Sequence, residues 1–233
     1  MTDVSDKPRD RILRAAVRLY SHEGIQAVGV NRIMAEADVA PTTLYRQFGG
    51  KDLLVAAAVE RWGADWLDWL CERMDRGGND LRARLDGLWD ALAGWFASEG
   101  FRGSFVTNAA AELRGSPDHP AHEVIAEHRA AMRRVLGHLA ELGGVGDPAA
   151  LAARTGQLLV LVDGAIAIAT VDRRPEVAAG ANRLATALLT GRIDAGQAPA
   201  AAGAAFCRGR ANGVTGSPAA ARTAVLTPPH HRP

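Results

Sequence analysis

The sequence predicts an all-α protein built from about nine helices. Of its 233 residues, 48% are hydrophobic but only 5% are aromatic. Alanine and leucine, which have high helix propensity, dominate the apolar residues, and the polar–apolar alternation typical of strands is missing. Glycine and proline separate one segment of helical period from the next. These observations indicate an N-terminal unit of three helices followed by a larger helical bundle.

The first three predicted helices are short and tightly connected. They cover residues 9–23, 30–37 and 41–47, each with its apolar residues on one face. Gly24 stands where a left-handed cap would end the first helix, and Pro41 stands at the first position of the third. A scaffold helix, the turn 38–40 and a second helix are typical of a helix-turn-helix, whose second helix enters the major groove of DNA.

Six further helices are predicted after this unit, over residues 51–74, 81–98, 105–114, 118–142, 147–170 and 175–191. Beyond them the chain is rich in alanine, glycine, proline and threonine and has no apolar period. Residues 192–233 are therefore expected to form a disordered tail. A solvated tail without function and a mildly basic tether to DNA both remain open for this segment.

Charge and composition narrow the possible functions. The formal net charge is +1, so any contact with nucleic acid must be local. Cys71 and Cys207 fit no metal or redox spacing, and His119, His122 and His128 do not form a metal-binding motif. No metal or cofactor is therefore expected. Because the sequence offers no polar catalytic cluster, an enzyme is not expected either.

The chain is expected to be cytoplasmic and without membrane contact. Its first residues are acidic and lack the apolar stretch of a signal peptide. The longest apolar stretch, residues 158–171, is interrupted by Asp163 and is too short to cross about 30 Å of hydrocarbon.

A specific string of residues surrounds the predicted third helix. Residues 39–54 read VAPTTLYRQFGGKDLL, in which the turn is followed by Thr-Leu-Tyr, an aromatic residue, and a Lys-Asp-x-Leu that opens the fourth helix. Over residues 9–54 the chain thereby resembles the TetR/AcrR family of transcriptional regulators. It departs from the family pattern at Gly29, where Ser or Thr usually caps the second helix, and at Asp38, where the turn usually has Gly.

The resemblance implies roles for individual residues of the helix-turn-helix. Thr43 and Tyr45 would contact phosphates at the edge of the groove, and Lys51 would hold the DNA backbone from the fourth helix. Such contacts set register without reading sequence. Arg46 is best suited to bidentate recognition of guanine, although a phosphate contact remains open. Further candidates for DNA contact are Pro41, Thr42, Gln47, Asn31 and Arg32. Two alternatives stay open, a core position for Tyr45 and a solvated one for Arg32.

The resemblance also divides the chain into a DNA-binding domain, residues 1–52, and an effector-binding and dimerisation domain, residues 53–191. Aromatic residues recur at helical spacing on the fourth and fifth helices and could wall a pocket for a small apolar effector. The alternative is that they fill the core. The candidate pocket residues are Trp62, Trp66, Trp69, Trp89, Phe96, Phe105 and Asn108.

The last two predicted helices carry the candidate dimer interface. Residues 158–168 are apolar nearly all round, and Gly164 and Ala165 permit close helix approach. The expected function is therefore a ligand-responsive regulator, a repressor, that binds a palindromic double-stranded operator as a homodimer and is released by a small molecule. The release would involve a shift of the fourth helix, with Gly63 as a flexion point. The alternative is a helical ligand-binding protein whose helix-turn-helix no longer reads DNA.

Overall fold

The computed structural model describes residues 7–191 of the chain. This part forms nine α-helices, one 3₁₀ turn at Leu113–Gly115 and no strand, so the all-α prediction is confirmed. The helices are α1 Pro8–Glu23, α2 Val30–Glu36, α3 Pro41–Phe48, α4 Lys51–Arg76, α5 Leu81–Phe96, α6 Phe105–Glu112, α7 Ala121–Leu142, α8 Pro148–Asp172 and α9 Val177–Thr190. The tail predicted for residues 192–233 lies outside the described residues.

The helix ends differ from the predicted ones by a few residues at most. The sixth helix ends at Glu112 because the chain tightens there into the 3₁₀ turn. Gly24 was expected in the left-handed helical conformation, but its φ of 89° and ψ of 156° make it extended with positive φ. This conformation still lets the Gly24 N–H bond to the Tyr20 carbonyl at 3.0 Å, while the chain turns Ile25 into the core. The left-handed prediction was therefore wrong, although the position does require glycine.

Helix α4 joins the two parts of the molecule. It begins directly after the three N-terminal helices and packs against α1, then continues between α5, α6 and α7. Side chains along its whole length are buried, from Leu54 and Ala58 beside α1 to Trp66 and Leu70 in the bundle. The N-terminal unit and the bundle therefore share one helix and one hydrophobic core.

Short polar side chains begin three of the bundle helices. Asp80 accepts a hydrogen bond from the Ala83 N–H at 2.9 Å, and Asp147 accepts one from the Ala150 N–H at 2.8 Å. The Ser104 hydroxyl caps α6 in the same way at 3.3 Å. Such caps satisfy backbone donors that have no partner within the helix, typically for about 1 kcal/mol each.

Helix α8 is joined to α7 by an ion pair and leaves much of its apolar surface uncovered. The Arg129 guanidinium donates to both carboxylate oxygens of Asp163 at 2.8 and 2.7 Å. On the open side of the helix, Val160 is 71% exposed and Val171 80%. The 25 residues of α8 are long and apolar enough to cross a membrane by length and composition, although one such helix is weak support for a span. The expectation that this apolar segment is too short to span a membrane therefore does not hold for the whole of α8.

The close approach of α4 and α5 depends on Gly87. A Cβ at this position would lie 2.7 Å from the Arg73 carbonyl oxygen and 2.9 Å from Met74 Cα, both atoms of the α4 backbone. Because backbone cannot rotate out of the way, we expect Gly87→Ala to lower the free energy of unfolding by about 1–3 kcal/mol. Chemical denaturation followed by circular dichroism measures this loss.

Gly94→Ala is the matched control for that prediction. Gly94 lies on the same helix, and nothing would lie within 4 Å of a Cβ placed there. Alanine has the higher helix propensity, so this variant should be as stable as the parent chain or slightly more stable. Equal stability of the two variants would contradict the proposed backbone contact.

Candidate functional site

The turn between α2 and α3 is closed by backbone hydrogen bonds. Asp38 has a φ of 50°, and its N–H bonds to the Ala35 carbonyl at 3.2 Å. The next N–H, that of Val39, reaches back to the Met34 carbonyl at 3.1 Å. This pair of bonds around a left-handed residue is a Schellman motif, which usually has glycine at the left-handed position. Asp38 thus takes the left-handed conformation that glycine usually adopts in this turn.

Three arginines attach α2 and the turn to α1. From α1, the Arg11 guanidinium donates to the carbonyls of Ala37, at 2.9 Å, and of Asp38. Arg18 on the same helix forms an ion pair with Glu36. In the opposite direction, Arg32 of α2 binds both carboxylate oxygens of Glu23, at 2.7 Å for one of them. Arg11 and Arg18 lie off the apolar face of α1, so the helical pattern of the sequence does not report these partners.

Helix α3 presents one face to solvent and buries the other. Leu44 and Phe48 are buried and hold the helix against the rest of the N-terminal unit. On the outer side Tyr45 is 62% exposed, which excludes the alternative of a core position for this residue. Pro41, Thr42 and Arg46 are also exposed, whereas Thr43 and Gln47 are half-buried.

The predicted DNA contacts outside α3 are partly engaged within the protein. Asn31 is exposed at the start of α2. Arg32 is exposed too, but its guanidinium is held by Glu23. Lys51 is half-buried, and its Nζ donates to the Ile25 carbonyl at 2.9 Å. An ammonium group has three donors, so this bond leaves Lys51 able to make further contacts.

The loop between α1 and α2 is bound from two sides. Lys51 holds it through Ile25, and the Glu112 carboxylate at the end of α6 accepts a hydrogen bond from the Gln26 N–H at 2.9 Å. Nearby, His119 Nε2 lies 3.6 Å from Asp52 Oδ1, and burial lowers the pKa of His119. The bundle thus contacts the N-terminal unit through specific polar atoms, a connection that spacing along the sequence gave no way to detect.

Most of the predicted pocket residues meet in one aromatic cluster, with two more rings that join them. Trp62 stacks on Trp66 with ring centroids 6.1 Å apart, and Trp66 lies 5.5 Å from Trp95. Phe105 at the start of α6 meets Trp62 edge to face at 6.1 Å. The cluster consists of Trp62, Trp66, Trp69, Trp95, Phe96, Phe101 and Phe105. Rings in this arrangement fill the core, and their role as the wall of an effector pocket stays a prediction.

Two of the predicted pocket residues lie outside this cluster. Trp89 lines a separate cleft of about 550 Å³ between α5 and α9. Asn108 is exposed, and its amide donates to the Arg102 carbonyl at 3.1 Å in the segment before α6. Its side chain lies at the solvent-exposed side of α6 and not in the aromatic cluster.

His128 of α7 packs beside the aromatic cluster. Its ring centroid lies 6.1 Å from that of Trp66, and burial lowers the pKa of His128, with a smaller effect from the adjacent Arg129. A Cβ on Gly63 would lie only 2.8 Å from His128 Nδ1. Gly63 is thus needed for the close packing of α4 and α7, a role that the sequence did not reveal.

A shallow apolar cleft lies on the open side of α8 and α9. It has a volume of about 880 Å³ and is lined chiefly by small and aliphatic side chains. Leu184 of α9 is 60% exposed beside it, and Gly164 and Ala165 of α8 form its floor. Arg154 and Arg183 supply charge among the lining residues.

Comparison with known proteins identifies the family. The profile described as bacterial regulatory proteins of the tetR family matches residues 12–58. A TetR-family transcriptional regulator of Streptomyces coelicolor is 30% identical, with a TM-score of 0.70 over 80% of this chain and 96% of its own. The chain belongs to the TetR family. A search of curated proteins gave no match.

More distant structures share the fold of this TetR-family chain. Escherichia coli NemR in its reduced form is 20% identical, with a TM-score of 0.66 over 78% of this chain and 97% of its own. The regulatory protein TetR of Rhodobacter sphaeroides is 22% identical, with a TM-score of 0.64 over 75% and 94%. Membership of the TetR family makes the chain a DNA-binding transcriptional regulator, and proteins of this family are generally non-enzymatic.

Other chemistries find little support in this TetR-family chain. Within residues 7–191, no group of three or more histidine, cysteine or acidic side chains is placed to hold a metal ion. His122 instead bonds to the Ser116 carbonyl at 2.9 Å, and the His119 ring accepts from the Ala121 N–H at 3.1 Å. Burial and the carboxylates of Asp75 and Asp68 raise the pKa of the Cys71 thiol, which disfavours the reactive thiolate.

Proposed function

We propose that this regulator is a cytoplasmic repressor that binds a palindromic operator as a homodimer and leaves it when a small molecule binds the bundle. The observation that carries the proposal is the solvent face of α3, where Tyr45 and Arg46 project from a helix fixed by Leu44 and Phe48. A short helix anchored on one side and exposed on the other is what insertion into a major groove requires.

The proposed contacts with DNA are of two kinds: phosphate contacts, which position the protein, and base contacts, which read the sequence. Thr43 and Tyr45 would bind phosphates, and Lys51 would add a charge while its other bond holds Ile25. Arg46 has no hydrogen-bond or ion-pair partner among residues 7–191, so its guanidinium is available for a guanine. Pro41, Thr42, Gln47 and Asn31 are the further candidates for base contact. Arg32 is the weakest candidate because Glu23 already binds it.

The homodimer is supported by the uncovered apolar face of α8 and α9. An apolar face of this extent on a soluble protein is usually covered by a partner. Small residues at Gly164 and Ala165 allow the helices of a second copy to approach closely. Two copies related by a two-fold axis would present two α3 helices to the two halves of a palindrome.

The aromatic cluster and α6 support a route from effector to DNA. Phe105, the first residue of α6, lies in the cluster. Glu112, the last residue of α6, accepts a hydrogen bond from the Gln26 N–H. The eight residues of α6 span about 12 Å at ~1.5 Å per residue. A molecule that displaces Phe105 would therefore move Glu112 and the loop before the helix-turn-helix. In this scheme residues 1–52 bind DNA and residues 53–191 bind effector and partner.

Operator binding is tested by two variants of α3. Operators are first selected from random duplexes with the parent chain. We expect Arg46→Ala to cost about 1–3 kcal/mol of binding free energy on the selected duplex and to relax the preference at one base pair. Tyr45→Phe, which lacks the hydroxyl that would bind a phosphate, should weaken binding to all duplexes alike. Fluorescence anisotropy at several salt concentrations measures both effects.

Arg76→Met is the control for these variants, because Arg76 is exposed at the far end of α4. It should bind like the parent chain. Selection of no duplex, or binding without salt dependence, would instead favour a ligand-binding protein whose helix-turn-helix no longer reads DNA.

The dimer is tested on α9. We expect Leu184→Glu to place a charge in the apolar face and to convert the dimer to a monomer, which sedimentation velocity measures directly. Operator affinity should fall with it, since each monomer then holds only half a site. Leu142→Glu is the control, because Leu142 is an exposed leucine at the end of α7. A Leu184→Glu chain that remains dimeric would show that the face serves another purpose, such as membrane contact.

The effector site is tested with a panel of neutral aromatic compounds. A compound that releases the selected operator should bind at least tenfold more weakly to Trp66→Ala than to the parent chain, because a central ring of the wall is lost. The control Trp89→Phe, in the separate α5–α9 cleft, should bind it normally. Glu112→Gln should still bind the compound but release operator less, since the carboxylate that holds Gln26 is weakened. Calorimetry and anisotropy separate binding from release, and a Glu112→Gln chain with unchanged release would exclude this route.

A further inference from the structure

We infer that Arg11, on a helix that does not enter the groove, is a positioning residue for operator recognition. Its guanidinium completes the C-terminal cap of α2 and thereby fixes the turn that directs α3. The inference concerns DNA recognition by the N-terminal unit and is independent of the effector response.

The end of α2 leaves backbone acceptors without helical partners. The Schellman bonds from Asp38 and Val39 satisfy the carbonyls of Ala35 and Met34, and the Ala37 N–H satisfies that of Ile33. The carbonyls of Ala37 and Asp38 lie beyond these bonds. They lie at the C-terminal, negative end of the helix, where a cation is favoured.

Arg11 binds those two carbonyls. Its Nε donates to the Ala37 oxygen at 2.9 Å, and one Nη donates to the Asp38 oxygen. The same Nη lies 3.3 Å from the Asp38 carboxylate. The Arg11 side chain is 27% exposed, so these bonds form in a partly water-excluded setting. A planar guanidinium can span adjacent carbonyls in this way, whereas a lysine ammonium is a single point of contact.

The turn sets the direction of α3 together with the burial of Leu44 and Phe48. The N-cap of α3 is Ala40, which offers no side-chain acceptor, and Pro41 follows it without an N–H. The start of the helix is therefore fixed by the backbone of the turn and by the burial of Leu44. Recognition demands placement within about 0.5 Å, so loosening of the turn would displace Tyr45 and Arg46 from their contacts.

Asp38 gives Arg11 a second, electrostatic role. Its carboxylate is fully exposed in the turn that precedes the reading helix. An unpaired negative charge there would repel the phosphates of bound DNA. The Arg11 charge beside it offsets this repulsion, so the departure from glycine at residue 38 is accommodated by an arginine far away in sequence.

The test compares Arg11→Met and Arg11→Lys with the control Arg76→Met. The probes are the duplex selected by the parent chain from a random pool and an unrelated duplex of equal length. Binding is measured at several salt concentrations and at a temperature where circular dichroism shows every variant folded. We expect Arg11→Met to lose about tenfold in affinity for the selected duplex and much less for the unrelated one. The salt slope should change only slightly, through the loss of the charge beside Asp38, and by less than the loss of one phosphate contact. Arg11→Lys, which can keep one carbonyl bond, should fall between it and the parent chain.

Three results would overturn the inference. Parent-like affinity of folded Arg11→Met with a lowered melting temperature would show a role in stability alone. An equal loss on both duplexes with a reduced salt slope would make Arg11 a phosphate contact instead. A parent chain that selects no duplex would overturn this inference together with operator recognition. If Arg11→Met does not fold, Arg11→Lys decides between these outcomes, because a loss of specificity at constant salt slope still identifies positioning.

Discussion

The molecule depends on the burial of α4 at both of its ends. Near Lys51 the helix packs against α1 through Leu54 and Ala58. Further along the same helix, Trp66 and Leu70 are buried in the bundle. A helix with one face buried along its whole length cannot shift at one end without a response at the other. This constraint links the unit that binds DNA to the rest of the chain before any specific polar contact is considered.

The aromatic cluster serves packing and binding at the same time, and these demands conflict. A core gains stability from rings in close contact, whereas a ligand needs them to separate. The indole Nε1 atoms of Trp66 and Trp69 are both buried and have no hydrogen-bond partner among residues 7–191. Such groups make a core less stable than a fully apolar one and are often retained at functional sites.

The sequence predicted the helices and their exposed faces, which depend on local residue patterns. It did not predict the hydrogen bonds and close contacts between residues far apart in the chain. Apolar period, proline and glycine located every helix to within a few residues, and the family string identified the exposed face of α3. The bond from Glu112 to Gln26 joins residues far apart in the chain, and so does the bond from Arg11 to Ala37. No pattern in one sequence reports such pairs. The close packing of Gly63 against His128 was missed for the same reason, since the two residues come together only in three dimensions.

The open apolar face of α8 and α9 would make the stability of the chain depend on its concentration. In the proposed dimer, burial of Val160 and Leu184 contributes to folding only after two chains meet. Dilution would then lower the midpoint of thermal unfolding, and occupancy of DNA would rise with the square of the amount of free chain at low concentration. A cell could thus tune the sharpness of this regulator through expression level alone, without any change in its contacts with DNA.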